Sequence, residues 1–152
     1  MFDLYTWPTP NGRKVSILFE ELEVKYSAIP INISKGDQFL GKFKTISIDN
    51  KIPIIFDYEK KVYIRESGII LIYLAEKYKR FIPSDENRFD TLQWLMWQMS
   101  TLGPICGQAH HFLYYNPGKS EYSENRFKQT TENLYKILNN RLEKFQYVSG
   151  SN

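Results

Sequence analysis

The chain has 152 residues, of which 42% are hydrophobic and 24% charged, a balance that fits a folded globular protein and excludes a disordered one. The net charge is only +3, and lysines sit beside acids as in Glu59-Lys60-Lys61 and Glu76-Lys77, which argues against a nucleic-acid-binding stripe. The one cysteine, Cys106, excludes an internal disulfide and Cys-x-x-Cys chemistry, and the longest apolar run, 69–75, is too short to span a membrane. Met-Phe-Asp-Leu-Tyr at the N-terminus lacks the pattern of a signal peptide, so a reducing cytoplasm is the expected location.

A β-like run over 2–5 breaks at Pro8 and Pro10, and a helix is predicted over 11–23, with Val15, Leu18, Phe19 and Leu22 on one face. Thr9 falls at its N-cap, Pro10 at the first helical position and Asn11 directly behind. A hydroxyl, a side-chain amide and free backbone N–H groups therefore gather at the positive end of a helix dipole. That setting suits an anion such as a thiolate, and the same residues also make an ordinary capped strand–turn–helix. A second strand is predicted over 26–31 and a short helical piece over 37–44. Strands over 52–56 and 61–64 are joined by Asp57-Tyr58-Glu59-Lys60, and a helix over 67–78 closes the unit. The order βαβ–α–ββα predicts a mixed sheet with helices on its faces.

Two further places carry chemistry. Pro53 cannot donate to a ladder, so Ile52-Pro53 marks an edge or a special turn. A cis bond there would expose the Ile52 backbone to an extended peptide, whereas a trans proline is the common arrangement at a strand start. In Arg65-Glu66-Ser67, Ser67 fits an N-cap and Glu66 lies at the positive end of the next helix. Backbone N–H groups and Ser67 would take a carboxylate and Glu66 an ammonium, as at the α-amino-acid end of a γ-glutamyl peptide; a plain cap uses the same pair.

Residues 81–85 read as a linker, after which the pattern turns helical. A helix over 86–102 carries Phe89, Leu92, Trp94, Leu95, Trp97 and Met99, residues 114–118 form a turn, and a helix over 121–145 aligns Phe127, Leu134, Leu138, Leu142 and Phe145. His110 and His111 are adjacent and point apart on a helix, so no metal is expected. Tyr5 reads as a packed strand tyrosine and Cys106 as a small packing residue.

Six marks stand in order: Thr9-Pro10-Asn11-Gly12, Gly36-Asp37-Gln38-Phe39, Asn50-Lys51-Ile52-Pro53, Glu66-Ser67-Gly68, Leu92-Gln93-Trp94 and Gly107-Gln108-Ala109-His110-His111-Phe112. Together they resemble the glutathione transferase superfamily, and within it the Nu class and the bacterial disulfide-bond oxidoreductase branch. The resemblance extends over 4–150. It implies an α/β plus all-α chain, with a thioredoxin-like glutathione-binding domain over 1–80 and a partial all-helical domain over 86–152.

By the same resemblance, glutathione is the co-substrate and no metal takes part. The Ile52 backbone would meet its cysteinyl part ahead of a cis Pro53. Glu66 and Ser67 would hold the γ-glutamyl end, Gln38 and Lys51 the glycine end, and Arg126 would face the site. Thr9 and Asn11 would lie beside the sulfur as the catalytic pair. With no cysteine in that set, glutathione must bring the nucleophile, and donation from Thr9 or Asn11 would lower its thiol pKa. The implied function is glutathione-dependent reduction of small disulfides by a homodimer, with weak transferase activity beside it. The alternative is a non-catalytic, glutathione-binding or dimerising relic. Relatives continue past the point where this chain ends, so the resemblance also implies a C-terminally truncated helical domain with exposed apolar surface.

Overall fold

The computed structural model describes residues 1–150 and divides into two compact units, Met1–Ile82 and Pro83–Asn152. In the first, β1 (Phe2–Thr6), β2 (Tyr26–Pro30), β3 (Ile54–Asp57) and β4 (Val62–Arg65) form one sheet in the order β2-β1-β3-β4. β1 and β2 are parallel, which requires a crossover, and α1 (Pro10–Glu21) supplies it. β3 is antiparallel to both β1 and β4. This is the thioredoxin-like order expected.

Alternation along the strands builds two cores. Phe2, Leu4 and Ile55 face one side, where α1 and α3 (Ser67–Tyr78) cover them with Val15, Phe19, Leu22, Ile70 and Leu74. Tyr5 and Ile54 face the other, against Ile31 and against Phe43 of α2 (Gly41–Ile46). The helical piece expected over 37–44 is broken. A one-turn 3-10 helix, Asp37–Phe39, ends in extended Leu40, and the chain restarts at Gly41 with φ 51°, a conformation that glycine adopts without a Cβ penalty. The third strand begins at Ile54, two residues later than expected, because Ile52-Pro53 leaves the ladder.

The second unit contains α4 (Asn87–Trp97), α5 (Gly103–His110) and α6 (Glu121–Leu142). Backbone angles stay helical through two wide turns of π-helix, Gln98–Leu102 and His111–Tyr115. The Phe112 and Phe127 rings stack at 5.5 Å. Arg141 donates to Asp90 (2.7 Å) and to the Val148 carbonyl (2.9 Å), so that it ties α6 to α4 and to the segment after it. Large apolar side chains remain outside, among them Phe89 (71% exposed) and Tyr114 (70%). No helix of the described residues is long and apolar enough to cross a membrane.

Candidate functional site

Register decides where the site residues meet. Tyr5 pairs with Ile54, and Ile54 with Arg65, so these three form one row at one end of the sheet. Just beyond that row the chain continues as residues 7–11 after β1, arrives as Ile52-Pro53 before β3, and leaves as Glu66-Ser67 after β4. Strands lie about 4.8 Å apart, so the three segments stand side by side over roughly 10 Å, about the length of an extended tripeptide. The N-termini of α1 and α3 open at the same end.

Thr9 is the N-cap of α1, and Pro10 is its first residue. The Thr9 hydroxyl accepts the Gly12 N–H (3.2 Å), which leaves its own proton to donate elsewhere. Asn11 is exposed, and its side chain makes no hydrogen bond among the described residues. Gly12 is buried because the turn closes onto it. A Cβ there would lie 2.6 Å from the Trp7 carbonyl oxygen. A groove of about 540 Å³ between this turn and β2, lined by Leu4, Trp7, Ala28 and Pro30, adjoins the site through Gly12.

The Ile52–Pro53 bond is cis and Pro53 is buried. Among the described residues Ile52 has no backbone partner, so its N–H and C=O are open to an extended ligand. Lys51 is exposed, with Nζ 3.7 Å from Asp49 in a loose surface pair. Glu66, not Ser67, occupies the cap position of α3, and Ser67 is the first helical residue, buried at 3% exposure. The correction has a local cause. Glu66 adopts φ 66°, ψ 115°, a left-side conformation that costs a non-glycine residue about 1–3 kcal/mol and that turns the chain sharply into the helix. Glu66 is exposed, and its side chain makes no cap bond to α3.

Gln38 lies on the 3-10 turn ahead of α2, with Oε1 buried and unpartnered. Arg126 lies exposed on α6, in the other unit. Thus Thr9, Asn11, Ile52, Pro53, Glu66 and Ser67 gather at one sheet end, Gln38 and Lys51 flank α2, and Arg126 belongs to a separate body. Tyr5 is 6% exposed and packs on Phe43 and Tyr63; burial, followed by the neighbouring Tyr63 phenol, raises its pKa. Cys106 is half-buried on α5, where burial raises its thiol pKa. No group of three or more His, Cys, Asp or Glu among the described residues could hold a metal ion.

Sequence reasoning missed Ser47, a buried serine whose hydroxyl meets both backbone groups of Lys51. Its place in Ile46-Ser47-Ile48 looks like an ordinary alternation, and nothing local announces the bond.

A mixed four-stranded sheet with a capped helix N-terminus and a cis-proline loop at one end defines a thioredoxin-like protein. Residues 1–76 match the family described as glutathione S-transferase, N-terminal domain. The chain belongs to the glutathione transferase superfamily, in its bacterial disulfide-bond oxidoreductase branch. It is 43% identical over 158 residues to the disulfide-bond oxidoreductase YfcG of Escherichia coli K12, a match covering all of this chain and 74% of that one. It spans between 54% and 62% of several other curated relatives. Among solved structures, a Pseudomonas fluorescens family member with two glutathione bound superposes with TM-score 0.93 at 34% identity, over 99% of this chain and 70% of that one. A Pseudomonas putida glutathione transferase with glutathione disulfide bound gives TM-score 0.89 at 36% identity, over 97% and 67%.

Proposed function

We infer that the protein is a glutathione-dependent thiol–disulfide oxidoreductase acting on small disulfides, with weak glutathione transferase activity beside it. One observation carries the reading. The Thr9-capped N-terminus of α1, the open Ile52 backbone and Glu66-Ser67 share a single sheet end, in a chain whose sole cysteine lies in the other unit. The relatives support it: YfcG bears the name of a disulfide-bond oxidoreductase, and the P. putida enzyme holds glutathione disulfide.

Ile52 pairs through its N–H and C=O with the cysteinyl backbone of glutathione. The N–H groups of α3 and Ser67 take the γ-glutamyl carboxylate, Glu66 its ammonium, and Gln38 and Lys51 the glycine end. Arg126 stays in the set through the family resemblance alone. Glutathione gives up its thiol proton to solvent, and the thiolate rests at the α1 N-terminus beside the Thr9 hydroxyl and the Asn11 amide. It attacks one sulfur of a disulfide, forming a mixed glutathione disulfide and releasing the other half as a thiolate. A second glutathione thiolate resolves the mixed disulfide to glutathione disulfide and the second free thiol. We assign the enzyme to the cytoplasm as a homodimer.

The test is glutathione-coupled reduction of hydroxyethyl disulfide, with the wild type beside Asn11→Ala. Turnover in the wild type that falls in the variant, while calorimetric glutathione binding is kept, supports the reading. A folded wild type that binds glutathione without turnover supports the relic instead, a reading favoured by the exposed apolar side chains of the helical unit.

A further inference from the structure

Ser47 is a polar residue with 3% exposure that no strand ladder uses. It ends α2, and its N–H donates to the Phe43 carbonyl (3.0 Å). Its hydroxyl accepts from the Lys51 N–H at 3.0 Å and donates to the Lys51 carbonyl at 3.2 Å, with Asp49 Oδ1 at 3.4 Å as a longer alternative. The intervening Asn50 sits at φ 57°. One hydroxyl therefore closes an irregular loop by holding both backbone groups of a single residue.

That residue is the neighbour that matters. The Lys51 carbonyl and the Ile52 N–H belong to one planar, trans peptide group and point in opposite directions. Holding the carbonyl fixes the direction of the N–H. A donor on the carbonyl oxygen also polarises the same peptide group and strengthens the bond its N–H makes. The structure thus contains a relay from the Ser47 O–H through the Lys51 C=O to the Ile52 N–H, which is vacant at the site end.

We propose that Ser47 is a positioning residue for glutathione: through the Lys51 carbonyl it aims and strengthens the Ile52 N–H that donates to the cysteinyl carbonyl, and so tightens binding of substrate and transition state alike. This rests on the assignment of Ile52 given above. The role needs a group that donates and accepts at once. Serine and threonine meet that need, cysteine does so weakly, and alanine does not.

The experiment measures calorimetric Kd for glutathione and for S-methylglutathione, together with KM and kcat for hydroxyethyl disulfide reduction. The proteins are the wild type, Ser47→Ala, Ser47→Cys and Ser47→Thr. Ser47→Ala should weaken both ligands about five- to tenfold, the equilibrium equivalent of one neutral hydrogen bond. KM for glutathione should rise in parallel while kcat at saturation holds, the mark of lost uniform binding. Ser47→Thr should restore Kd to within about twofold, and Ser47→Cys should lie between. A folded Ser47→Ala with unchanged Kd overturns the proposal, as does a fall in kcat with Kd intact or a failure of threonine to restore binding. If the alanine variant does not fold, the cysteine variant, which preserves the packing, decides on the same criterion. A wild type that binds glutathione without turnover sinks the redox reading and leaves the Kd comparison decisive for Ser47. A wild type that does not bind glutathione overturns both.

Discussion

Asp57→Asn should destabilise the protein at neutral pH and remove much of its sensitivity to acid. Asp57 ends β3 at the Phe2 end of the sheet, away from the site, and is fully buried. Oδ2 accepts the Tyr73 hydroxyl (2.5 Å) and Lys77 Nζ (2.5 Å), and Oδ1 accepts the N–H groups of Glu59 (2.8 Å) and Lys60 (3.4 Å). Burial alone would raise its pKa, but the bonds from Lys77, Tyr73 and the two backbone N–H groups outweigh it and hold the carboxyl at about 2, against an ordinary 3.8. Since the folded value is depressed, the stabilisation is fully present above the unfolded pKa of 3.8 and is lost as pH falls through about 2. A gap of nearly two units corresponds to about 2.5 kcal/mol.

The asparagine variant keeps the shape and loses the charge, which leaves Lys77, 17% exposed, with only Glu59 at 2.8 Å. The expected cost at neutral pH is about 2–4 kcal/mol. Urea unfolding followed by circular dichroism between neutral pH and about pH 2 measures both effects, because the wild-type curve should fall about 2 kcal/mol further than the variant's. Parallel pH profiles for the two proteins would refute the reasoning. Tyr73 and Lys77 both lie on α3, whose first turn carries Ser67, so glutathione affinity should drop in the variant as well.

Gly12→Ala places a methyl 2.6 Å from a backbone carbonyl and should cost about 1–3 kcal/mol by thermal melt, with weaker glutathione binding. Thr9→Ala removes the cap bond to the Gly12 N–H, at about 1 kcal/mol of stability, and should raise the pKa of bound glutathione as read by thiolate absorbance; an unchanged titration would take Thr9 out of the catalytic pair. Arg141→Gln loses the bonds to Asp90 and Val148 and the stacking over Phe145, 3.8 Å from the guanidinium, and should speed amide exchange in α6 by about tenfold or more.

What was legible in the sequence was local. Thr9, Pro10 and the apolar stripe of α1 act within a few residues of one another, so the cap stands where the pattern put it. What was illegible depends on distant partners. Lys77 follows Glu76 and reads as half of a surface pair, yet it turns inward to Asp57, twenty residues earlier. Asp57 itself reads as a turn residue, because neither Tyr73 nor Lys77 is visible from its neighbourhood. Glu66 was displaced into the cap by a backbone angle that residue type does not announce, since glutamate has no preference for positive φ. Ser47 serves a loop whose path is set by Asn50 and Pro53, and no period of two or of 3.6 encodes such a path.

The site contributes donors and backbone but no sulfur, and magnitudes decide which of its parts carries the rate. An ordinary cysteine thiol with pKa about 8.5 is roughly 3% thiolate at pH 7, and lowering the pKa to about 7 raises that about sixteenfold. Nucleophilicity falls with basicity at a Brønsted slope of about 0.4–0.5, which takes back about fivefold and leaves a net gain of only about threefold. On the proposed assignment, activation of the thiol by Thr9, Asn11 and the helix N-terminus is therefore a small term. Holding two sulfurs in line is the large one, since well-oriented intramolecular reactions reach effective molarities of about 10⁵ M and above. On the same assignment, the extended backbone at Ile52 and buried Pro53 should then matter more to catalysis than the pKa of the bound thiol. A fall on Asn11→Ala well beyond about threefold would mean that the amide orients the sulfur as well as stabilising its charge.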